Sequence, residues 1–288
     1  MHRSSVVLIK LSLAIVLLPA HAAVAEEPLP DFLQDRGPGI PTSQFGTYIE
    51  HGQWMVYPFY EYSSNNDEEY DPREFGFPRP GAVGEEEFFG EGTQHEAVLF
   101  IAYGLSETLA IEFEAELYAS ATLDKSALDT SPLPARTKES GFAGAEAQLR
   151  WLWRTETRER PALYSFFEVE FPFQDTKVLI GATDVEFAVG TGFIRGFEWG
   201  TLNGRVSIAY DGAESKVELG EYALEYLKRV NERWRLVATL EGEEDEVSVI
   251  GEAQLTLRPG AVLKLNSGFG ITRKAADFAP EIGILFTF

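Results

Sequence analysis

The sequence predicts an all-β chain, a transmembrane antiparallel up-and-down β-barrel of about twelve strands. Three observations predict it. Twelve segments alternate apolar and polar side chains with period two. The connections between them alternate between shorter and longer. The last segment, "EIGILFTF", is itself an alternating strand that runs to Phe288.

The elements follow in order. The opening "MHRSSVVLIKLSLAIVLLPAHAAVAEE" places Arg3 and Lys10 around an apolar run and Ala23-Val24-Ala25 before Glu26. This is the pattern of a secretory signal, residues 1–25, cleaved after Ala25 and too short to span a membrane as a helix. It carries two bases and no acid, so its removal shifts the net charge from −22 to −24. Such acidity argues against nucleic acid as a partner and against docking on an anionic membrane through a basic patch. There is no cysteine, so an exported fold must close without disulfides. No later stretch is apolar for long enough to make a membrane helix. A soluble β-protein or a β-barrel is left.

Residues 26–45, "EEPLPDFLQDRGPGIPTSQF", are rich in Pro and Gly and aperiodic. They read as an extended N-terminal segment before a barrel over 46–288. Strands are expected at 52–63, 94–103, 109–119, 140–153, 162–173, 184–195, 201–210, 217–229, 234–243, 247–257, 262–272 and 278–288. Twelve is even, and these lengths suit tilted strands crossing a bilayer. The one helix-like stretch, "EYALEYLKRV", also alternates and is flanked by glycine, which favours a strand.

The turns "GLSET", "RTETRERP", "GFEWG", "VNE" and "RPGA" are short or moderate. The intervening connections include three long ones, 64–93, 120–139 and 174–183. That asymmetry belongs to outer-membrane barrels, and a soluble sandwich gives no reason for it. The faces agree. Leu109, Ile111 and Phe113 share a side, as do Phe167, Val169 and Phe171, or Ile282, Ile284 and Phe286. The opposite sides carry charge, which lipid would penalise, so the charged stripes must point inward. Aromatic residues near strand ends, among them Tyr57, Tyr60, Tyr103, Trp151, Trp153 and Trp234, are expected in interfacial girdles.

A terminal alternating strand ending in Phe288 resembles the C-terminal signature of bacterial outer-membrane proteins, which their assembly machinery recognises. The resemblance implies the outer membrane as location, with membrane lipid and that machinery as partners. Three stretches go further: "IAYGLSETLAIEFEAELY", "LEYLKRVNERWRLVATLEGEEDEVSVIGEAQL" and "GFGITRKAADFAPEIGILFTF". They resemble the hairpins of a family of outer-membrane transporters named for the MetA pathway of phenol degradation. The similarity covers most of 94–288 and implies a barrel of about twelve strands with a transport role. The family name suggests apolar or aromatic solutes. No functional residues carry over, and "DRGPGIPTSQFGTYIEHGQW" has no counterpart.

Chemistry is sparse. After the signal only His51 and His95 remain, in "EHGQ" and "TQHEA", without the Ser or Asn spacing of barrel hydrolases. The expectation is no enzyme and no cofactor. The runs "NNDEEYDPREFG" and "GEEEFFGEG" lack the ordered spacing of a calcium loop and read as solvated acidic loop, with no metal. "GTGFIRG" lies within a strand, where its glycines would ease curvature.

The lumen is the remaining candidate site. Glu112, Glu114, Glu116, Glu168, Glu170 and Glu186 would form an acidic wall facing Arg150, Arg205, Arg233 and Arg235. That wall serves either as a field selecting cations and dipolar solutes or as a salt-bridge filling. The expected function is passive passage of a small solute. A non-conducting structural or surface-interaction barrel is the alternative, and a lipid or peptide hydrolase the third.

Overall fold

The computed structural model describes residues 29–78, 88–173, 177–181, 184–212 and 216–288. The expected signal, 1–25, lies outside the described residues, as does part of the first long loop. No described helix is long and apolar enough to cross a membrane.

A 3-10 turn, Asp31–Leu33, precedes a two-residue-per-arm hairpin, β1 (Ile40–Pro41) and β2 (Tyr48–Ile49). The wall then follows as β3 (Trp54–Tyr70), β4 (Phe88–Gly104), β5 (Leu109–Asp124), β6 (Arg136–Gly141), β7 (Ala145–Arg154) and β8 (Ala162–Phe171). It continues as β9 (Glu186–Phe197), β10 (Gly200–Asp211), β11 (Lys216–Arg229), β12 (Trp234–Glu243), β13 (Glu246–Arg258), β14 (Ala261–Gly270) and β15 (Ala279–Thr287). Each pairs antiparallel with its neighbour. β6 and β7 both lie on β5, one on each half of it, and together make one stave. β15 pairs with β3, where the Trp54 N–H donates to the Phe288 carbonyl (3.1 Å) and the Phe288 N–H to the Trp54 carbonyl (2.9 Å). Twelve staves thus close on themselves and leave no open edge in lipid.

The outer face is what makes this a membrane barrel. Ile111, Phe113, Leu117, Phe167, Val189, Leu236, Leu240 and Ile282 are all exposed. So many large apolar side chains around one wall would be untenable in water, and lipid satisfies them. At the short-turn end Trp54, Trp151, Trp153, Trp199, Trp234 and Phe288 are exposed in a girdle. Tyr57 corrects the sequence expectation. It is 0% exposed and inside, because period two places it opposite Trp54 and Tyr60 on the same strand.

The long connections are shorter than expected. β3 runs to Tyr70 and β4 starts at Phe88, through much of the expected loop 64–93. β5 and β6 likewise take up parts of 120–139. These tips carry no outward apolar stripe because beyond the bilayer the outer face needs none. Backbone pairs such as Glu68↔Gly90 and Tyr70↔Phe88 hold them, together with a small apolar cluster of Tyr70, Leu123 and Leu133 packed against Phe75, Phe77 and Phe88.

Residues 31–49 are not an extended tail before the barrel. They fold back into it from the short-turn end. Ile40 and Ile49, at most 1% exposed, pack among Tyr57, Phe100, Leu152, Tyr164, Ile194 and Leu285 of the wall. The lumen at that level is a dry apolar core. Burying each isoleucine contributes about 1.5–3 kcal/mol.

Candidate functional site in the lumen

Two layers of contacts seat the hairpin. At its base, Asp35 Oδ1 accepts the Arg229 backbone N–H (2.8 Å), and Asp35 Oδ2 pairs with Lys228 Nζ (3.3 Å). Arg36 Nη2 pairs with Glu156 Oε2 (3.0 Å), while Glu156 Oε1 accepts the Gly196 N–H (2.7 Å). Arg36 also lies over the Tyr48 ring, 4.9 Å from its centroid. Burial raises the Tyr48 phenol well above its ordinary value, with Glu225 adding to the effect. The ring therefore stays neutral.

The tip, residues 42–47, reaches a ring of charged wall residues beyond the apolar layer. Its backbone closes by Thr42 N–H to the Thr47 carbonyl (3.0 Å) and Thr47 N–H to the Gln44 carbonyl (3.2 Å). Ser43 donates through its N–H (3.0 Å) and hydroxyl (2.7 Å) to Glu112 Oε2. Gln44 Nε2 donates to Glu114 Oε2 (2.9 Å), and the Gly46 N–H to Glu225 Oε2 (2.9 Å). In return the Phe45 carbonyl accepts from Gln254 Nε2 (3.3 Å) and Lys264 Nζ (3.2 Å). The Arg205 guanidinium lies 4.8 Å from the centroid of the Phe45 ring.

Gly46 is required here. Its φ is +62°, and a Cβ would stand 2.8 Å from Gln254 Nε2 and 2.9 Å from both Leu227 Cδ1 and Val237 Cγ2. The ring itself is charge-paired. Arg150 Nε stands 3.0 Å from Glu112 Oε1 and Lys264 Nζ 3.4 Å from Glu252 Oε2. Arg205 pairs with Glu221 and, at 3.6 Å, with Glu241. Charges this deep persist only when partnered.

Toward the long-loop end the lumen opens. A cavity of about 340 Å³ is lined by Glu168, Glu221, Glu241, Glu243 and Glu246 together with Phe166 and small residues; no base lines it. A smaller one, about 100 Å³, lies against Glu114, Glu116, Glu146 and Glu170. Nearer the loops, Lys274 is held above its ordinary value by its hydrogen bonds to Glu69 (2.7 Å) and Asp245 (3.2 Å). Among the described residues no group of three or more acids, histidines or cysteines is arranged to hold a metal.

The residues singled out in sequence thus separate. Glu112, Arg150 and Arg205 sit in the tip-binding ring, and Glu114 touches the tip from its rim. Glu116, Glu168 and Glu170 line the acidic cavities. Glu186 begins β9 opposite Glu170. Arg235 is half-buried on β12, opposite Arg229 and Gln254. Arg233 is off the wall, exposed in the turn after Arg229, because the alternation that placed it breaks where β11 ends. Sequence reasoning missed Asp35, Arg36, Ser43, Gln44, Phe45, Gly46, Glu225 and Gln254. Two isoleucines bracketing "PTSQFGTY" were the available signal of an inserted hairpin.

The run "GTGFIRG" lies within β9, as expected. The rings of Phe166 and Tyr164 lie against Gly190 and Gly192 where side chains would stand, and the Phe32 backbone takes that place at Gly196. These glycines admit close neighbours. His51 stands exposed near Glu107 (3.5 Å), and His95 shares a hydrogen bond with Tyr60 (2.6 Å).

No family model matches the chain, and no curated protein does. Solved structures with a similar outline include the KdgM porin in complex with disordered oligogalacturonate. It is 7% identical, with a TM-score of 0.49 over 81% of this chain and 99% of that one. The transport unit of the autotransporter AIDA-I from Escherichia coli is 9% identical, with a TM-score of 0.48 over 83% and 91%. The toluene transporter TodX of P. putida is 8% identical, with a TM-score of 0.42 over 83% and 89%. At these values the overlaps say nothing about what enters the lumen.

Proposed function

We propose that this chain is an outer-membrane barrel passing a small solute passively, and that the hairpin Ile40–Ile49 is its closing element. One observation carries the reading: the lumen is closed by a separate segment with a polar tip, while an acidic cavity stays open beyond it. Eight staves would be filled by their own side chains, whereas twelve enclose room for an inserted element. The tip's hydrogen bonds to charged wall groups contribute about 1.5–3 kcal/mol each and can be exchanged for bonds to water, so the hairpin as a whole, its two isoleucines included, is the separable seal. The acidic cavity then favours cations or dipolar solutes. On this reading residues 1–25 direct export and the strand ending at Phe288 is presented to the assembly machinery. The resemblance to the MetA-pathway family adds support for transport.

Planar-bilayer recording of the full chain tests it. The native chain is expected to conduct little. A Phe45→Ala, Gly46→Val variant, whose tip cannot seat and so cannot hold Ile40 and Ile49 in the apolar layer, is expected to open. Absence of conductance and of liposome flux from both would sink the transport reading. The alternative, a non-conducting barrel, would then hold, with the apolar layer around Ile40 and Ile49 as its reason.

A further inference from the structure

The tip contacts are chemically specific, beyond what a seal needs. One layer toward the short turns, the lumen is already sealed by Ile40 and Ile49 against wall side chains. Beyond that seal the wall presents a formed receptor from six strands. Glu112, Arg150, Glu225, Glu252, Gln254 and Lys264 are each at most 4% exposed, and Arg205 joins them. Carboxylates receive the backbone N–H groups of Ser43 and Gly46. An amide and an ammonium meet the Phe45 carbonyl, and a guanidinium meets its ring. Glu225 keeps a second carboxylate oxygen buried and without a hydrogen bond, ready for another donor. Acids and bases nearly balance around the tip, so the ring suits a neutral or zwitterionic guest.

We infer that this ring is a binding site for a peptide-like solute: amide donors, a carbonyl acceptor and an aromatic ring, with residues Ser43–Gly46 occupying it in place of the solute. The tip and the solute then compete for the same groups. Binding of solute displaces the hairpin, and the empty channel recloses on its own tip. The inference rests on the reading of the hairpin as a displaceable seal and adds the class of molecule that displaces it.

The probe is the capped tetrapeptide acetyl-Ser-Gln-Phe-Gly-amide, and the protein is the full chain refolded in detergent, its barrel verified by heat-modifiable mobility. Calorimetry is expected to show binding to the Phe45→Ala, Gly46→Val variant and about tenfold weaker binding to the native chain, whose site is filled. The same peptide with alanine in place of phenylalanine should bind the variant about tenfold more weakly. Adding Glu225→Gln to the variant should weaken the original peptide similarly. A second chain, Ser43→Ala, Gln44→Ala, loosens the tip without steric conflict and should also bind. No binding to either chain, or equal binding of the two peptides, overturns the inference. Binding is read without conduction, so an open variant that ignores the peptide refutes the site and spares the channel. A non-conducting variant that binds the peptide does the reverse.

Discussion

At the scale of single residues, Glu112, Glu114 and Glu116 show how one stripe divides its labour. They are consecutive inward positions on β5, yet their surroundings differ. Glu112 is 3% exposed, paired with Arg150 and holding Ser43. Glu114 touches the tip, and Glu116 faces a cavity. Glu112→Gln strips the counter-charge from Arg150, which is 1% exposed. Breaking such a buried pair costs about 3–5 kcal/mol. Glu116→Gln removes a carboxylate bordering a cavity and is expected to cost little, within about 0.5 kcal/mol. Urea titration of the refolded barrels checks the difference. Equal losses would show that the stripe acts as a uniform acidic wall, contrary to the separate roles seen here.

At the scale of elements, most of the wall was legible because lipid imposes a rule that leaves a mark on every strand. An apolar outer face and a charged inner one make period two visible from β4 to β15, and boundaries came within a few residues over most of that range. The rule falls silent where lipid does not reach. The tips of β3 and β4 alternate nothing apolar, and Asn65–Tyr70 read as loop. The hairpin escaped for a related reason: surrounded by wall, its two-residue arms are too short to show a period. Only Ile40 and Ile49 betray it, and their partners Tyr57, Phe100 and Tyr164 lie far away in sequence. Face could be read from alternation, but pairing across the lumen could not.

The hairpin's separateness is testable as an element. Ile49→Asp places an unpaired carboxylate in the dry layer, which the seated conformation cannot accommodate. The wall's own ladder is closed by β15 on β3 without it. Heat-modifiable mobility is therefore expected to persist, while protease cleavage within residues 29–49 appears. Loss of the folded barrel would instead make the hairpin a pillar that the wall needs in order to form.

At the scale of the whole molecule, charge is distributed unevenly along the lumen, which sets an ion preference for the proposed passage. The tip-binding ring is nearly balanced, whereas the cavity beyond it has five carboxylates and no base among its lining residues. A cation entering from the long-loop end meets attraction first and a mixed, hydrogen-bonding constriction second. An anion meets repulsion first. Low-dielectric walls strengthen that field, and salt shortens its reach to about 10 Å at 0.1 M. In the variant with the unseated tip, a KCl gradient should therefore give a reversal potential on the cation side, larger at low salt. Glu243→Gln and Glu246→Gln together should move it toward zero without closing the pore, because both line the cavity and neither is paired with Arg205 of the tip-binding ring. An unchanged reversal potential would place the selecting charges in the ring below, on Glu112, Glu225 and Glu252. The acidic cavity would then be an antechamber with no part in selection.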